Sequence, residues 1–471
     1  MNRKLTRDLS ANALQLILNQ LFGLVIFYVL STGLNKTGFG QLNLALAILL
    51  AAFNILSLGI DQLIVKKIAF GNDLHKTLWL YVCHVLFTGS LFYGLLFTGW
   101  MLFPQATNTY TILLLIGIGK LMVYFSTPFK QVANGLERFK LLAWMSIGSN
   151  LVRAIALLAF GLLHMVTLHV IVLIFICGDA AELFACVVIY RYNIGSLLPF
   201  TWDKLHYKST LRESLPQTGV VVITSALARF DWIFIGTFLS AIKLAEYSFA
   251  YKVFEISTFP LLSIAPLLIP RFTKLFQNGG NATKNLSLLI RVEIIIALLV
   301  AIVLNVCWTP VIDAVTAGKY GAVNRYVVLI LSGCMPLLYV NNFLWTIYFA
   351  KGMLKMILMA FVVTLIVNVV GDVVLIPLCK NEGAAAAFLL ACLAQTIFFL
   401  KKNDIKILNA IPLTLMICTA CALCTGFLVN YFTINVWIAL PVSLLIYVAL
   451  LMLTRQLQLN DRKQLAELLH F

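Results

Sequence analysis

The sequence has few charged residues. Only 11% of its 471 residues are Asp, Glu, Lys or Arg, whereas a soluble domain usually has about a quarter. Hydrophobic residues make up 62% of the chain, and a soluble fold of this length has too little interior to bury that much apolar surface. A soluble globular protein is therefore excluded.

Motifs for nucleotide or metal chemistry are lacking as well. The sequence has no G-x-x-x-x-G-K-(S/T) loop that could bind nucleotide phosphates, which disfavours an ATP-driven pump. Its six histidines are scattered and form no H-E-x-x-H or other ligand pair. We therefore expect no catalytic residues, no metal and no cofactor.

Long polar segments that could hold the catalytic groups of an enzyme are also missing. The largest segment predicted outside the membrane runs from about Pro310 to Arg325 and offers only Asp313, Lys319 and Arg325. A membrane polymerase or ligase that joins sugar units needs positioned acid and base groups. The sequence therefore predicts that the protein is not an enzyme. A membrane polymerase or ligase is kept only as a less favoured interpretation of the sequence.

What the sequence does have is a succession of apolar blocks of about 20 residues. A helix of that length crosses a hydrocarbon layer about 30 Å thick, and lipid offers backbone groups no other partner. We therefore predict an all-α polytopic membrane protein with about 14 transmembrane helices. The first block lacks a cleavage site and is interpreted as a retained span. The blocks start near residues 10, 41, 77, 109, 141, 168, 216, 246, 286, 326, 356, 383, 411 and 436.

The net charge of +16 would suggest a nucleic-acid partner in a soluble protein. Here the basic residues lie in short clusters between apolar blocks. With a cytoplasmic N-terminus, about five basic residues lie inside for each one outside, which is the bias expected of membrane topology. Both termini are therefore predicted to be cytoplasmic, with no nucleic acid bound. The outside basic residues are Lys36, Lys243, Lys319, Arg325 and Lys380.

The longest basic segment between spans, residues 196–215, is predicted to be a cytoplasmic linker between two lobes. Residues 1–195 would form an N-terminal six-helix lobe and residues 216–403 a C-terminal six-helix lobe. Residues 404–455 would hold helices 13 and 14, followed by a cytoplasmic tail at residues 456–471.

A short internal similarity favours two pseudo-symmetric lobes. Ala133–Arg138 and Ala350–Lys355 share the pattern A-x-G-x-x-(R/K), each in the turn between the fourth and fifth helices of its half. Asn150 and Asn368 follow the two glycines by 15 and 16 residues. Both copies would enter the membrane in the same direction, as parallel repeats do.

Several loose motifs follow one another in a specific order and spacing. They are Gly38–Leu42, Leu58–Asp61, Ala133–Lys140, Ser214–Pro216, Arg229–Gly236, Tyr247–Lys252, Pro270–Arg271, Asn368 and Glu382–Ala387. Over roughly residues 5 to 455 the chain resembles the oligosaccharide (O-antigen type) flippases of the multidrug/oligosaccharidyl-lipid/polysaccharide exporter superfamily.

This resemblance implies a two-lobed transporter of 14 helices in a bacterial cytoplasmic membrane. By alternating access it would move an undecaprenyl-diphosphate-linked oligosaccharide outward for polysaccharide biosynthesis. Polysaccharide assembly proteins are then expected partners, besides the lipid bilayer. A lipid-linked peptidoglycan precursor is a further possible cargo because it shares the diphosphate. A cation-coupled multidrug exporter of the same superfamily is the main alternative, although it would be expected to have a more acidic cavity.

Four cations within the predicted spans are candidate substrate-binding residues. They are Lys120, Arg153, Arg229 and Lys252. Charges are costly inside a membrane and usually face a wet cavity or a partner, and cations there would suit a diphosphate. The alternative is that a local carboxylate neutralises each cation, as Glu255 could do for Lys252 three residues earlier.

Four carboxylates within the predicted spans are candidate proton-coupling residues: Asp179, Glu182, Asp231 and Asp372. Asp179 and Glu182 lie three residues apart on one face of the sixth span, where two ionised groups would repel each other. The structural alternative is that one of them pairs with Arg153 or Lys120.

Overall fold

The computed structural model describes residues 19–102, 108–163, 165–258, 261, 272, 283–402, 410–431 and 435–458, and all of their regular structure is helical. Eleven helices in this part of the chain are long and apolar enough to cross a membrane. The prediction of an all-α, multi-pass membrane protein is confirmed. The helices are α1 (Asn19–Gly33), α2 (Lys36–Leu56), α3 (Ile60–Ala69), α4 (Leu74–Leu102), α5 (Asn108–Gly135), α6 (Phe139–Leu162), α7 (Leu168–Asn193), α8 (Lys204–Phe238), α9 (Ala241–Ser257), α10 (Thr283–Thr316), α11 (Arg325–Ala350), α12 (Leu354–Lys401), α13 (Ile411–Tyr431) and α14 (Val436–Leu453).

Each predicted span has a helical counterpart, although the eleventh and twelfth spans share the 48 residues of α12. The first residues of the predicted first span, the motif Pro270–Arg271 and most of the predicted tail lie outside the described residues. Two compact units emerge from the contacts, Met1–Ala245 and Glu246–Phe471. In the first unit, α8 packs against α2 and α3. The predicted six-helix lobes and the linker at residues 196–215 stay predictions.

The long helix α12 reverses its direction at Lys380, whose φ of 54° and ψ of −130° are not helical. A Cβ atom on Gly371 would lie 2.8 Å from the Cβ of Ala387, and one on Gly383 would overlap the carbonyl group of Leu375. Residues so far apart in sequence can meet only if the two halves of α12 run antiparallel. Lys380 is therefore the reversal between the eleventh and twelfth predicted spans.

We expect Gly383→Ala to destabilise the protein by about 1–3 kcal/mol, because the added methyl group meets backbone that cannot move aside. The apparent melting temperature of the purified protein in detergent measures this loss. Gly426→Ala on α13 is the matched control, since its methyl group meets nothing within 4 Å. Equal melting temperatures for the two variants would contradict the tight reversal.

The two turns that the sequence predicts to be equivalent have the same backbone geometry. Each contains one residue in the left-handed region, Glu137 with φ 56° and Gly352 with φ 73°. In both, the next residue donates its N–H to the carbonyl oxygen five residues earlier, at 2.9 Å. This 6→1 hydrogen bond is the Schellman ending of a helix.

The predicted register of that repeat is wrong by two residues. The sequence pattern aligns Gly135 with Gly352, whereas the turn geometry aligns Glu137 with Gly352. Gly135 has a different purpose, because a Cβ there would lie 2.9 Å from the Cβ of Ile68. It permits close packing of α5 against α3, while Gly352 supplies the left-handed conformation.

The motif Leu58–Asp61 forms the break between α2 and α3. Two successive residues there, Leu58 and Gly59, have positive φ angles of 49° and 69°. A Cβ on Gly59 would lie 2.7 Å from the side chain of Gln217, so glycine also lets α8 approach here. Thr218 Oγ1 donates a 2.7 Å hydrogen bond to the Leu58 carbonyl. The break places Asp61 in the first turn of α3.

Candidate functional site

Five charged side chains meet on three helices of the first unit: Lys120 and Lys130 on α5, Arg153 on α6, and Asp179 and Glu182 on α7. Lys120 Nζ lies 3.1 Å from Asp179 Oδ2, and Arg153 Nη2 donates to Oδ1 of the same carboxylate. Lys130 Nζ pairs with Glu182 Oε1, and Arg153 Nη2 lies 3.7 Å from Oε2. These five residues, here called the ion-pair network, carry one net positive charge.

Polar neighbours extend the network on the side of Arg153 and Glu182. Ser149 Oγ donates to Glu182 Oε2. Arg153 Nη1 donates to Asn150 Oδ1 at 3.0 Å, and the Asn150 amide donates to Asn19 Oδ1 at 3.1 Å. Because buried charges are stable only when their remaining donors and acceptors are satisfied, these contacts link α1 and α6 to the charges on α7.

Two glycines make room for the network. A Cβ on Gly119 would lie 2.5 Å from Asp179 Oδ2, and one on Gly178 would lie 2.6 Å from Arg153 Cγ. The absence of a side chain at these positions lets the buried carboxylate and the guanidinium approach the neighbouring helix. Both glycines are adjacent in sequence to a charged member of the network, Lys120 and Asp179 respectively.

A cavity of about 370 Å³ lies beside the network and is lined by α2, α3, α4, α5 and α8. Ten of its 15 lining residues are polar or charged, although most of its exposed surface is apolar, and it is here called the polar cavity. Lys120 is the member of the network that lines this polar cavity, with 20% of its side chain exposed, while Asp179 behind it is completely buried. The ring of Phe175 lies 5.4 Å from Lys120 Nζ. The other polar lining residues are Asn54, Ser57, Asp61, Tyr81, Tyr124, Thr127, Gln131, Thr224 and Ser225.

Asp61 is the second charged group of the polar cavity. It lies near the inner end of the second predicted span, in the cavity lining, with its Oδ1 3.5 Å from Ser57 Oγ. The break at Leu58 and Gly59 causes this, because it turns the start of α3 toward α4 and α5. The cavity thus holds one cation and one carboxylate among hydroxyl and amide groups.

Arg229 and Asp231 lie on α8, whereas the ion-pair network lies on α5, α6 and α7. The Arg229 guanidinium lies 4.5 Å above the ring of Trp232, and its Nη1 donates to the Ala228 carbonyl at 2.8 Å. Asp231 is buried, and its Oδ1 accepts a 2.8 Å hydrogen bond from the backbone N–H of Trp232. These two candidates therefore belong to a different part of the first unit.

Two candidates lie in the second unit. Lys252 pairs with Glu255 on the same helix, with 2.7 Å between Nζ and Oε2, as the sequence alternative for this residue describes. Asp372 is completely buried on the first half of α12, eight residues before the reversal at Lys380. The described residues contain no cluster of His, Cys, Asp and Glu that could hold a metal.

Sequence reasoning missed Lys130. Pro128 predicts the end of the fourth span and places Lys130 in the following turn, but α5 continues through Pro128 to Gly135. A proline is tolerated inside a transmembrane helix where neighbours satisfy the freed backbone groups. Glu182 is the one feature of the sequence that could have indicated such a partner, because a carboxylate within the membrane requires either a cation beside it or a proton.

A comparison with models of protein families identifies the family of this chain. A family model described as polysaccharide biosynthesis protein matches residues 5–276, more than half of the chain. A comparison with curated protein sequences gives no match.

Solved structures similar to this fold are transporters. The lipid II flippase MurJ, in an inward closed conformation, aligns with a TM-score of 0.74 at 12% identity, covering 94% of this chain and 98% of that chain. An inward-facing multidrug resistance MATE family transporter gives 0.62 at 14% identity, covering 81% and 93%. A MOP superfamily transporter from Pyrococcus furiosus gives 0.55 at 13% identity, covering 85% and 94%. The fold is thus that of these transporters, and the family and its structural neighbours are not enzymes.

Proposed function

This chain belongs to the polysaccharide biosynthesis protein family, and we propose that it is a flippase for a polyprenyl-diphosphate-linked oligosaccharide. It works by alternating access in a bacterial cytoplasmic membrane, with both termini cytoplasmic and polysaccharide assembly proteins as partners. The observation that carries this proposal is the polar cavity with Lys120 in its wall. Ligand cavities usually measure about 300–1,000 Å³, a range that includes this cavity.

The lining of the polar cavity matches a phosphorylated sugar headgroup. An ammonium group donates strong, charge-assisted hydrogen bonds to phosphate oxygens. Hydroxyl groups bind sugar hydroxyls, as do the carboxylate of Asp61 and the amides of Asn54 and Gln131. In this arrangement Lys120 binds the diphosphate and the remaining lining residues bind the sugar.

Lys120 can exchange its partner without leaving a buried carboxylate unpaired. Asp179 is held by both Lys120 and Arg153. When a phosphate enters the cavity, Lys120 turns toward it and Arg153 continues to neutralise Asp179. Arg153 is thus a positioning residue in this mechanism, and substrate binding changes the contact between α5 and α7. Asp179 or Glu182 takes up a proton only in conformations in which its lysine partner, Lys120 or Lys130 respectively, has turned away from it.

The test uses purified protein in proteoliposomes with three cargoes: a polyprenyl-diphosphate-linked oligosaccharide, the same polyprenyl diphosphate without sugar, and a cationic dye. Accessibility of the sugar to an external lectin measures flipping of the first cargo. We expect rapid flipping of the sugar-linked diphosphate, slower movement of the bare diphosphate and no dye transport. Protein-free vesicles are the control.

The same experiment addresses the multidrug exporter, which the similarity to a MATE fold and the carboxylate of Asp61 favour. An exporter of cationic drugs would transport the dye in response to an imposed proton or sodium gradient. Dye transport without flipping of the lipid-linked oligosaccharide would refute the flippase and support the exporter.

A further inference from the structure

The connection between α7 and α8, residues 194–203, is fixed to the start of α4 in the first unit. Trp79 Nε1 donates a 3.0 Å hydrogen bond to the Leu197 carbonyl, and the Trp79 and Phe200 rings meet edge to face at 4.9 Å. His75 Nε2 contacts the Pro199 carbonyl. This connection is therefore a packed structural element rather than a loose linker.

A second cavity, here called the interfacial cavity, lies between this connection and the starts of α4 and α8, with a volume of about 400 Å³. Its lining includes the cationic side chains of Lys76 and Lys204 and the imidazole of His206. Asp203 is its carboxylate, but that group caps α8 by accepting hydrogen bonds from the N–H groups of Leu205 and His206. These backbone donors, first that of His206, hold the pKa of Asp203 below its ordinary value.

The first part of α8 extends beyond the hydrocarbon layer. Its 35 residues measure about 52 Å, whereas the hydrocarbon is about 30 Å thick. The first ten residues of α8 hold four charged residues, Lys204, Lys208, Arg212 and Glu213, and none lies between Ser214 and Ala228. Lys76, which also lines the interfacial cavity, is the only Lys, Arg, Asp or Glu of α4 and directly precedes its apolar stretch. This position at the end of a membrane span places the interfacial cavity at the level of the lipid headgroups.

Large apolar side chains on the connection and on the first turn of α8 are exposed, and two of them, Trp202 and Leu205, line the interfacial cavity. Leu205 is 81% and Leu198 77% exposed, and Phe200 and Trp202 are each about half exposed. Aromatic side chains are enriched at the membrane interface, with one end apolar and one end polar. Such side chains at headgroup level are placed to contact acyl chains.

We propose that the interfacial cavity binds the phosphate of an anionic phospholipid, with Lys76, Lys204 and His206 around the headgroup. The two lysine charges complement the phosphate and outnumber the single carboxylate of Asp203, whose Oδ1 accepts hydrogen bonds from the backbone N–H groups of Leu205 and His206. The exposed leucines and aromatic rings favour a lipid over a free phosphate ion, which has no acyl chain to contact. This site does not depend on the cargo of the transporter.

Bound lipid would hold the connection against α4 and so influence how α8 is anchored. Near an anionic surface each lysine contributes about a fivefold gain in lipid affinity. Lys67 on α3 already attaches the first turns of α8 to the first unit. Its Nζ lies 3.0 Å from Glu213 Oε2 and donates a 2.9 Å hydrogen bond to Thr210 Oγ1. The lipid is thus a second attachment for a helix that extends out of the membrane.

The test is a titration of purified full-length protein in detergent with phosphatidylglycerol or phosphatidylcholine, with bound lipids counted by native mass spectrometry. We expect the wild type to prefer phosphatidylglycerol, and K76Q/K204Q to lose about 25-fold in affinity for it. K204Q alone should lose about fivefold. K140Q, an exposed lysine at the start of α6, is the control and should keep the wild-type preference.

Two outcomes overturn the proposal. One is an unchanged preference for phosphatidylglycerol in both K204Q and K76Q/K204Q when their melting temperatures equal that of the wild type. The other is complete loss of the wild-type preference in excess inorganic phosphate, which would identify a site for the free ion.

Discussion

Lys120→Gln should lower the flux of lipid-linked oligosaccharide by about 10- to 100-fold, which corresponds to one lost hydrogen bond to a charged group. The protein should remain folded, because Asp179 keeps Arg153 as its cationic partner. Flux is measured in proteoliposomes by lectin accessibility of the sugar, and folding by the melting temperature in detergent. The effect on flux should exceed the effect on stability, since glutamine preserves most of the side-chain volume.

Lys140→Gln is the matched control for this variant, because Lys140 is an exposed lysine at the start of α6. Lys120→Arg should recover part of the flux, since arginine keeps the charge but changes the geometry of the donors. Wild-type flux in Lys120→Gln would show that the cation in the polar cavity does not bind the cargo. The flippase function itself would then still rest on the cargo measurements with the wild type.

The transmembrane helices could be predicted from the sequence because lipid leaves the backbone no other hydrogen-bond partner. Every crossing therefore has to be an apolar block. The limit of this reasoning appears at Lys380, where the sequence predicts a loop and the structure reverses at one residue. The reversal depends on contacts of Gly371 and Gly383 with the facing half of α12. Such contacts are not visible in the hydropathy of either half.

The presence of intramembrane charges was visible in the sequence, but their partners were not. Asp179 and Glu182 were recognisable as one face of a helix because of their spacing. Which cations meet them depends on how α5 and α6 pack against α7, and on the room that Gly119 provides. The spacing of residues along one helix does not show which side chains of other helices lie opposite them. Because Pro128 predicts the end of the fourth span, the sequence places Lys130 in a turn rather than beside Glu182.

In the internal repeat, the sequence pattern identifies two equivalent turns but aligns them two residues out of register. Both turns end a helix with the same 6→1 hydrogen bond, so a similarity between them is real. The shared glycines suggested the alignment, yet Gly135 serves packing and Gly352 serves a positive φ. Glycine is required for two different physical reasons, and a short pattern cannot distinguish them.

Asp179→Asn should destabilise the protein by about 3–5 kcal/mol, because it removes the carboxylate that pairs with the buried Arg153 and with Lys120. The charge-balanced double variant Lys120→Gln/Asp179→Asn restores the wild-type net charge of the network and should recover most of the melting temperature. It should not recover flux, because the cation of the polar cavity is still missing. A stable Asp179→Asn single variant would contradict the structural role of the network. Wild-type flux in the double variant would contradict the binding role of Lys120, so the two roles are tested separately in the same set of proteins.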